Sequence, residues 1–196
     1  LLISAMAIVP DLARAVSMPF KRAGSVLFLV GNTGDDLGGS LHWQQRGIVG
    51  AHAPRIDLAV ARETFRALHR AIAEHGILAC HDLSDGGLAV AASEMALAGD
   101  LGCLLDLDTV PGAGGLSPDA VLFGESHSRF LVEVAPENAA AFELAMDRVP
   151  CERIGVVTAD RRLRIGRGAT MIIDLPVDEI GGTWLTPISA GMGVGA

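Results

Sequence analysis

The chain has 196 residues, of which half are apolar and 19% charged, and carries a formal net charge of −8. It is long enough for one sizeable core and too apolar for global disorder. The acidic balance and the absence of any basic stripe or lysine-rich run argue against nucleic acid and anionic membrane surfaces as its main partners. Cys80, Cys103 and Cys151 lie far apart with no CxxC pair. That usage points to reduced, buried thiols in a cytoplasmic protein, not to a disulfide framework or a zinc site.

In chain order, Leu1–Val9 is strongly apolar but has no initiator Met and no basic flank, and it is too short to span a bilayer. It reads as a buried strand from the middle of a longer protein, followed by a short helix over Asp11–Ser17. Val26–Val30 is a continuous apolar run of strand length, the pattern of a strand buried on both faces. Gly31–Ser40, rich in glycine and acid, reads as a surface loop or a second ligand loop, and Leu41–Pro54 as irregular. From Asp57 the period becomes helical, with Leu58, Ala61, Phe65, Leu68 and Ile72 on the apolar face, Asp57 as cap and Gly76 as stop. His69 and His75 on this helix read as solvated or packed side chains. Strands are expected at Gly76–Cys80, Leu101–Leu107, Phe130–Val134, Cys151–Val157, Leu163–Gly166 and Met171–Leu175. Helices are expected at Leu88–Ala98, from Ser117 and over Pro136–Arg148, the last with Phe142 and Met146 inward. Val177–Ala196 thins into small residues and reads as a poorly ordered tail. Strands and helices mix without a strict βαβ rhythm, which favours an α+β fold or a layered α/β sandwich.

Two polar stretches carry the chemistry. His81-Asp82-Leu83-Ser84-Asp85-Gly86-Gly87-Leu88 lies on a strand-to-helix turn. Its glycines allow a sharp turn and close approach to a ligand, and the helix that follows aims unpaired N–H groups at it. It suits a phosphate, or a metal shared between carboxylates and a phosphate. The structural alternative is a tight turn whose Asp caps the helix. Gly124-Glu125-Ser126-His127-Ser128-Arg129 stands directly before a strand and is either a site at a strand end or a helix C-cap followed by a charged turn.

Taken together, Ile3–Val9, Asp35-Asp36-Leu37-Gly38-Gly39-Ser40, His81–Leu88 with Ser93-Glu94-Met95-Ala96, and Phe123–Phe130 resemble the phosphoribosylformylglycinamidine synthase family. The likeness is to the second PurM-like half of its synthetase subunit, in order and spacing over residues 1–180. AIR synthase, selenophosphate synthetase and HypE-type maturases share the superfamily fold, but their turn motifs match less well.

The resemblance implies an α+β, PurM C-terminal-domain-like sandwich with a mixed sheet. Residues 1–40 would be the end of an AIR-synthase N-terminal-like domain and linker, 41–180 the C-terminal-like domain and 181–196 the tail. It implies ATP-dependent conversion of formylglycinamide ribonucleotide, with ammonia from glutamine, to the amidine plus ADP and phosphate in de novo purine biosynthesis. Asp82, Asp85, Gly86, Gly87 and Gly124 would bind ATP, Glu125 a Mg²⁺ ion, and Ser126 and His127 the ribonucleotide. The family's catalytic residues are expected upstream of this chain, so the chain alone is expected to be inactive and, with an apolar face exposed, to self-associate. Implied partners are a glutaminase subunit, a small accessory subunit and the N-terminal part of the same protein. The alternatives are a non-catalytic structural or nucleotide-binding module of the superfamily, and a small-molecule kinase of the same fold.

Overall fold

The computed structural model describes residues 4–9, 11–50, 52–74 and 76–191, and side chains as far as Thr186. Its strands are β1 (Val26–Val30), β2 (Ile77–Asp82), β3 (Gly102–Asp106), β4 (Phe130–Val134), β5 (Cys151–Thr158), β6 (Arg162–Arg167) and β7 (Thr170–Pro176). Its helices are α1 (Leu41–Gln44), α2 (Leu58–Glu74), α3 (Gly87–Gly99), α4 (Pro118–Phe123), α5 (Ala139–Ala145) and α6 (Val177–Gly191). The strands form one sheet in the order β2-β4-β1-β5-β3-β6-β7. It is mixed: β3 and β6 run parallel, and every other neighbouring pair is antiparallel.

Helices cover both faces. Leu27 and Leu29 of β1 point into a core shared with α3 and α4, while Val26, Phe28 and Val30 point into one shared with α2 and α5. All five residues of β1 are buried, as its unbroken apolar run requires. Leu88, Ala91, Ala92, Met95 and Ala96 of α3 are buried as expected, and so are Phe142 and Met146. The Pro136 helix is shorter than expected: a 3₁₀ turn over Pro136–Asn138 leads into α5. The fold is α+β with layers of helix on a mixed sheet, as expected.

Other expectations change as well. Leu41–Gln44, in the stretch expected to be irregular, form α1, capped by Ser40. Residues 4–9 take no place in the sheet, with Met6 and Ile8 fully or almost fully exposed, so their apolar pattern is not that of a buried strand here; Leu1–Ile3 lie outside the described residues. Only Leu12–Arg14 of the next stretch are helical, as a 3₁₀ turn capped by Asp11. The face of α2 is rotated from the expected one. Ala61, Thr64, Ala67, Leu68 and Ala71 are buried, whereas Leu58 and Phe65 are 75% and 48% exposed. Small side chains let this helix lie close on the sheet, and the bulkier residues are left at its flank. Residues 181–191, expected in a tail, continue α6, and 192–196 lie outside the described residues. His69 is exposed, as expected, and His75 is outside the described residues.

A boundary at residue 40 cuts through this sheet, because β1 is hydrogen-bonded to β4 on one side and β5 on the other. The segment before β1 is also fixed to the body. Glu133, fully buried on β4, accepts hydrogen bonds from the Lys21 and Arg22 N–H groups (2.8 and 2.9 Å) and the Ser25 hydroxyl (2.6 Å). A buried carboxylate needs such partners. Cys103 is buried and Cys80 and Cys151 are half-buried. Burial pushes each thiol up to about 12, so all three stay protonated at neutral pH.

The phase of α2 is directly testable. Leu68→Ala is expected to cost about 2–5 kcal/mol in urea unfolding, and Leu58→Ala no more than about 0.5 kcal/mol. Similar costs for the two would contradict the observed face.

Candidate functional site

Strand register brings the polar stretches together. Phe130, the first residue of β4, lies opposite Asp82 at the end of β2 and opposite Val30 at the end of β1. The turn after β2, the loop after β1 and the segment before β4 therefore meet at one end of the sheet. Helix α4, capped by Ser117 through its hydroxyl (3.1 Å to the Ala120 N–H), delivers the chain into Gly124.

Arg129 holds this junction from inside. It is 1% exposed and donates to the carbonyls of Gly124 and Ser126 and to the Thr33 hydroxyl, the last two at 3.2 Å. Desolvation lowers its guanidinium to about 10, against the opposing pull of Asp36 and Glu125, so it remains a cation at neutral pH. The loops cross-link above it. The Ser126 hydroxyl donates to Asp36 Oδ2 (2.6 Å) and accepts from the Gly34 N–H (2.9 Å). The Glu125 N–H donates to the Asp36 carbonyl (2.9 Å), and Glu125 Oε1 accepts from the N–H groups of Leu41 and Gly86, each at 2.9 Å.

Two clefts flank this ridge. One, of about 510 Å³, is lined by Asp82, Leu83, Ser84, Asp85, Glu125 and Phe65, among others. The other, of about 310 Å³, is lined by Asn32, Gly34, Asp36, Arg55, Asp57 and Ser126, among others. His127 and Ser128 line both. Ser128 has a left-handed backbone (φ +60°) and a buried hydroxyl without a hydrogen-bond partner.

Of the residues singled out in the sequence, Asp82 and Asp85 are exposed at the first cleft, Glu125 stands at its wall, Ser126 at the second, and His127 at both. Gly86, Gly87 and Gly124 are buried and line neither cleft. The Gly86 N–H goes to Glu125 and the Gly87 N–H to the Ser84 carbonyl (3.1 Å). Both glycines are left-handed, and a Cβ on Gly87 would lie 2.5 Å from the Gly124 carbonyl oxygen. Glycine is thus required here for the turn and its packing. The alternative in which an Asp caps α3 is not what forms: Gly86 is the N-cap, with no side-chain cap. Gly124 is the C-cap of α4, its N–H bonded to the Ala120 carbonyl (3.0 Å).

Asp36, Thr33 and Arg129 belong to the junction but were not singled out as site residues. Composition marked the Asp36 loop as a possible ligand loop; nothing local in the sequence shows that Arg129 turns inward. His81 does not face a cleft. Its Nε2 lies 2.7 Å from Glu94 Oε2, which ties β2 to α3. Among the described residues no group of three His, Cys, Asp or Glu side chains is placed to hold a metal by itself.

The family model of "AIR synthase related protein, C-terminal domain" matches residues 22–167. The chain belongs to this family. Curated relatives named "Phosphoribosylformylglycinamidine synthase subunit PurL" include that of Thermococcus sibiricus, 40% identical over 69% of this chain and 19% of the relative. That of Symbiobacterium thermophilum is 36% identical over 91% of this chain and 25% of the relative. The chain thus spans a quarter or less of the length of these relatives. Among solved structures, Thermotoga maritima PurL complexed with FGAR superposes with a TM-score of 0.76 at 22% identity, over 86% of this chain and 30% of that one. The hydrogenase maturation protein HypE complexed with ATP gives 0.59 at 18% identity, over 87% of this chain and 56% of that one. These superpositions place the mixed sheet and its helices in the fold of this C-terminal family. The match to the family begins at residue 22, beside the Glu133 clamp.

Arg129→Met tests the junction. Removing the guanidinium strands two carbonyls and leaves Asp36 and Glu125 without their nearest buried cation. The expected loss is about 3 kcal/mol or more in urea unfolding; a loss below about 1 kcal/mol would contradict a structural role.

Proposed function

We propose that this chain forms part of an ATP-dependent phosphoribosylformylglycinamidine synthase, contributing one side of its nucleotide and ribonucleotide sites. The observation that carries the reading is the convergence of the Asp35–Ser40 loop, the Ser84–Gly87 turn and the Gly124–Arg129 segment on one ridge between two clefts. Family membership and the naming of the relatives as PurL subunits support it. Solved PurL structures complexed with ATP and with FGAR share the fold.

In this reading the cleft beside Asp82 and Asp85 takes ATP and the cleft beside Asn32 and Ser126 takes formylglycinamide ribonucleotide, with His127 between them. Phosphoryl transfer to the amide oxygen depends on positioning and on offsetting charge, and ammonia then displaces the phosphate. The ridge supplies the positioning. Ser126 is held by Asp36 and Gly34, and the buried Arg129 keeps the segment from shifting. Gly86, Gly87 and Gly124 act by shaping the turn and the ridge and not by offering N–H groups to phosphate.

The donors at the clefts are hard carboxylate oxygens, which suit Mg²⁺ brought in with nucleotide phosphates. Such an ion needs only one or two protein carboxylates. Asp36, Asp82, Asp85 and Glu125 are the candidates; Glu125 would use its second oxygen, since Oε1 already accepts two N–H groups. Bound there, Mg²⁺ would neutralise charge on the transferring phosphoryl group. A glutaminase subunit and a small accessory subunit are the proposed partners, in keeping with the likeness to a T. maritima PurLQS structure. A cytoplasmic setting accords with three free cysteines.

A non-catalytic role for the first turn is the second reading. It is favoured by the internal use of the Gly86 and Gly87 N–H groups. Titration of the chain with MgATP, followed by amide chemical shifts, separates the two. The catalytic-side reading expects shifts at Asp82–Asp85 and Glu125–Ser128, and about tenfold weaker binding by Asp85→Ala, near 1.4 kcal/mol, at unchanged urea midpoint. Unchanged affinity with lowered stability would support the structural reading instead, and no shifts at all would overturn the nucleotide assignment.

A further inference from the structure

Glu125 makes contacts that a cleft wall does not need. One oxygen, Oε1, accepts from the Leu41 N–H at 2.9 Å and from the Gly86 N–H at 2.9 Å. These donors are 84 and 39 positions away in the chain and belong to different loops. Leu41 opens α1, where first-turn N–H groups have no partner within the helix. Gly86 sits at φ +81° between the exposed Asp85 and α3, and its N–H likewise has no partner in the sheet. Without this oxygen the part-buried Gly86 donor would be left unpaired, which is costly, whereas the more exposed Leu41 donor would turn to water and release its loop.

The loop that carries Leu41 is fixed from behind. His42 is largely buried and stacks on the Phe123 ring at 4.3 Å and 12°. Its Nε2 lies 3.3 Å from Asp119 Oδ2, and its Nδ1 lies 3.0 Å from an Arg46 guanidinium nitrogen. Phe123 ends α4, two residues before Glu125. The stacked pair therefore brings α1 to the carboxylate, and the carboxylate passes that placement on to the Ser84–Gly87 turn.

We propose that Glu125 is a positioning residue whose reach sets the distance between the Asp35–Leu41 loop and the Ser84–Gly87 turn. What the Leu41 and Gly86 N–H groups use is an acceptor oxygen at the end of a two-methylene arm, and for them the negative charge is secondary. The inference concerns the same site as the nucleotide reading, but it is tested without nucleotide or metal, so either can fail alone.

The experiment is amide hydrogen exchange on the chain and two conservative variants. Glu125→Gln keeps the reach and removes the charge. Glu125→Asp keeps the charge and shortens the arm by one methylene. Leu41 and Gly86 in Glu125→Gln are expected to stay within about threefold of wild-type protection, whereas Glu125→Asp loses about tenfold or more at one or both. The Leu131 and Val132 amides of β4 serve as the control for intact folding. Wild-type protection of both amides in Glu125→Asp, or loss in Glu125→Gln equal to that in Glu125→Asp, overturns the proposal. Should Glu125→Asp fail to fold, Glu125→Gln decides alone: retained protection supports the role of reach, and lost protection overturns it.

Discussion

The buried guanidinium of Arg129 is the constraint on which the site depends. A cation this far from water is tolerated only when its donors are used and negative charge lies near. Arg129 meets both conditions through the carbonyls of Gly124 and Ser126, the Thr33 hydroxyl, and the influence of Asp36 and Glu125. Its partners are what make Gly124–Ser128 a fixed ridge and not a mobile loop. With the ridge fixed, Glu125 and Ser126 face opposite neighbours: the Leu41 and Gly86 N–H groups on one side, Asp36 and Gly34 on the other.

The sheet places these groups before any side chain acts. Because β4 lies between β1 and β2, the ends of all three strands converge, and loops distant in sequence become neighbours. The glycines serve the same placement. Gly87 admits the Gly124 carbonyl at a distance no Cβ would allow, and Gly86 turns its N–H to Glu125. Exposed groups stand at the rims, Asp82, Asp85 and His127, with Ser126 held in the second wall. Such a division between a rigid interior and solvated carboxylates suits the proposed reaction, in which positioning and the offsetting of phosphate charge matter most.

Much of this was legible in the chain. Val26–Val30 announced a doubly buried strand, and the small-residue face of α3 announced close packing on the sheet. The two polar turns were visible as motifs because glycine, acid and hydroxyl residues cluster at strand ends. Their meeting was not visible, since it follows from strand order. Helix α2 misled because hydrophobicity favours Leu58 and Phe65, whereas packing distance favours Ala61, Ala67 and Ala71. Residues 4–9 are apolar but form no strand among the described residues, because an apolar run becomes a buried strand only where a sheet edge receives it. Arg129 was unreadable for a similar reason: an arginine beside a serine and a phenylalanine looks like a surface cation until the carbonyls that surround it are known.

The three polar segments form one mechanically coupled junction. A double-mutant cycle between Asp36→Ala and Ser126→Ala, read by urea unfolding, tests it most directly, because their 2.6 Å hydrogen bond crosses between two of the segments. A coupled junction gives a coupling energy of about 1–3 kcal/mol. Additivity within about 0.3 kcal/mol, the behaviour of independent sites, would contradict it.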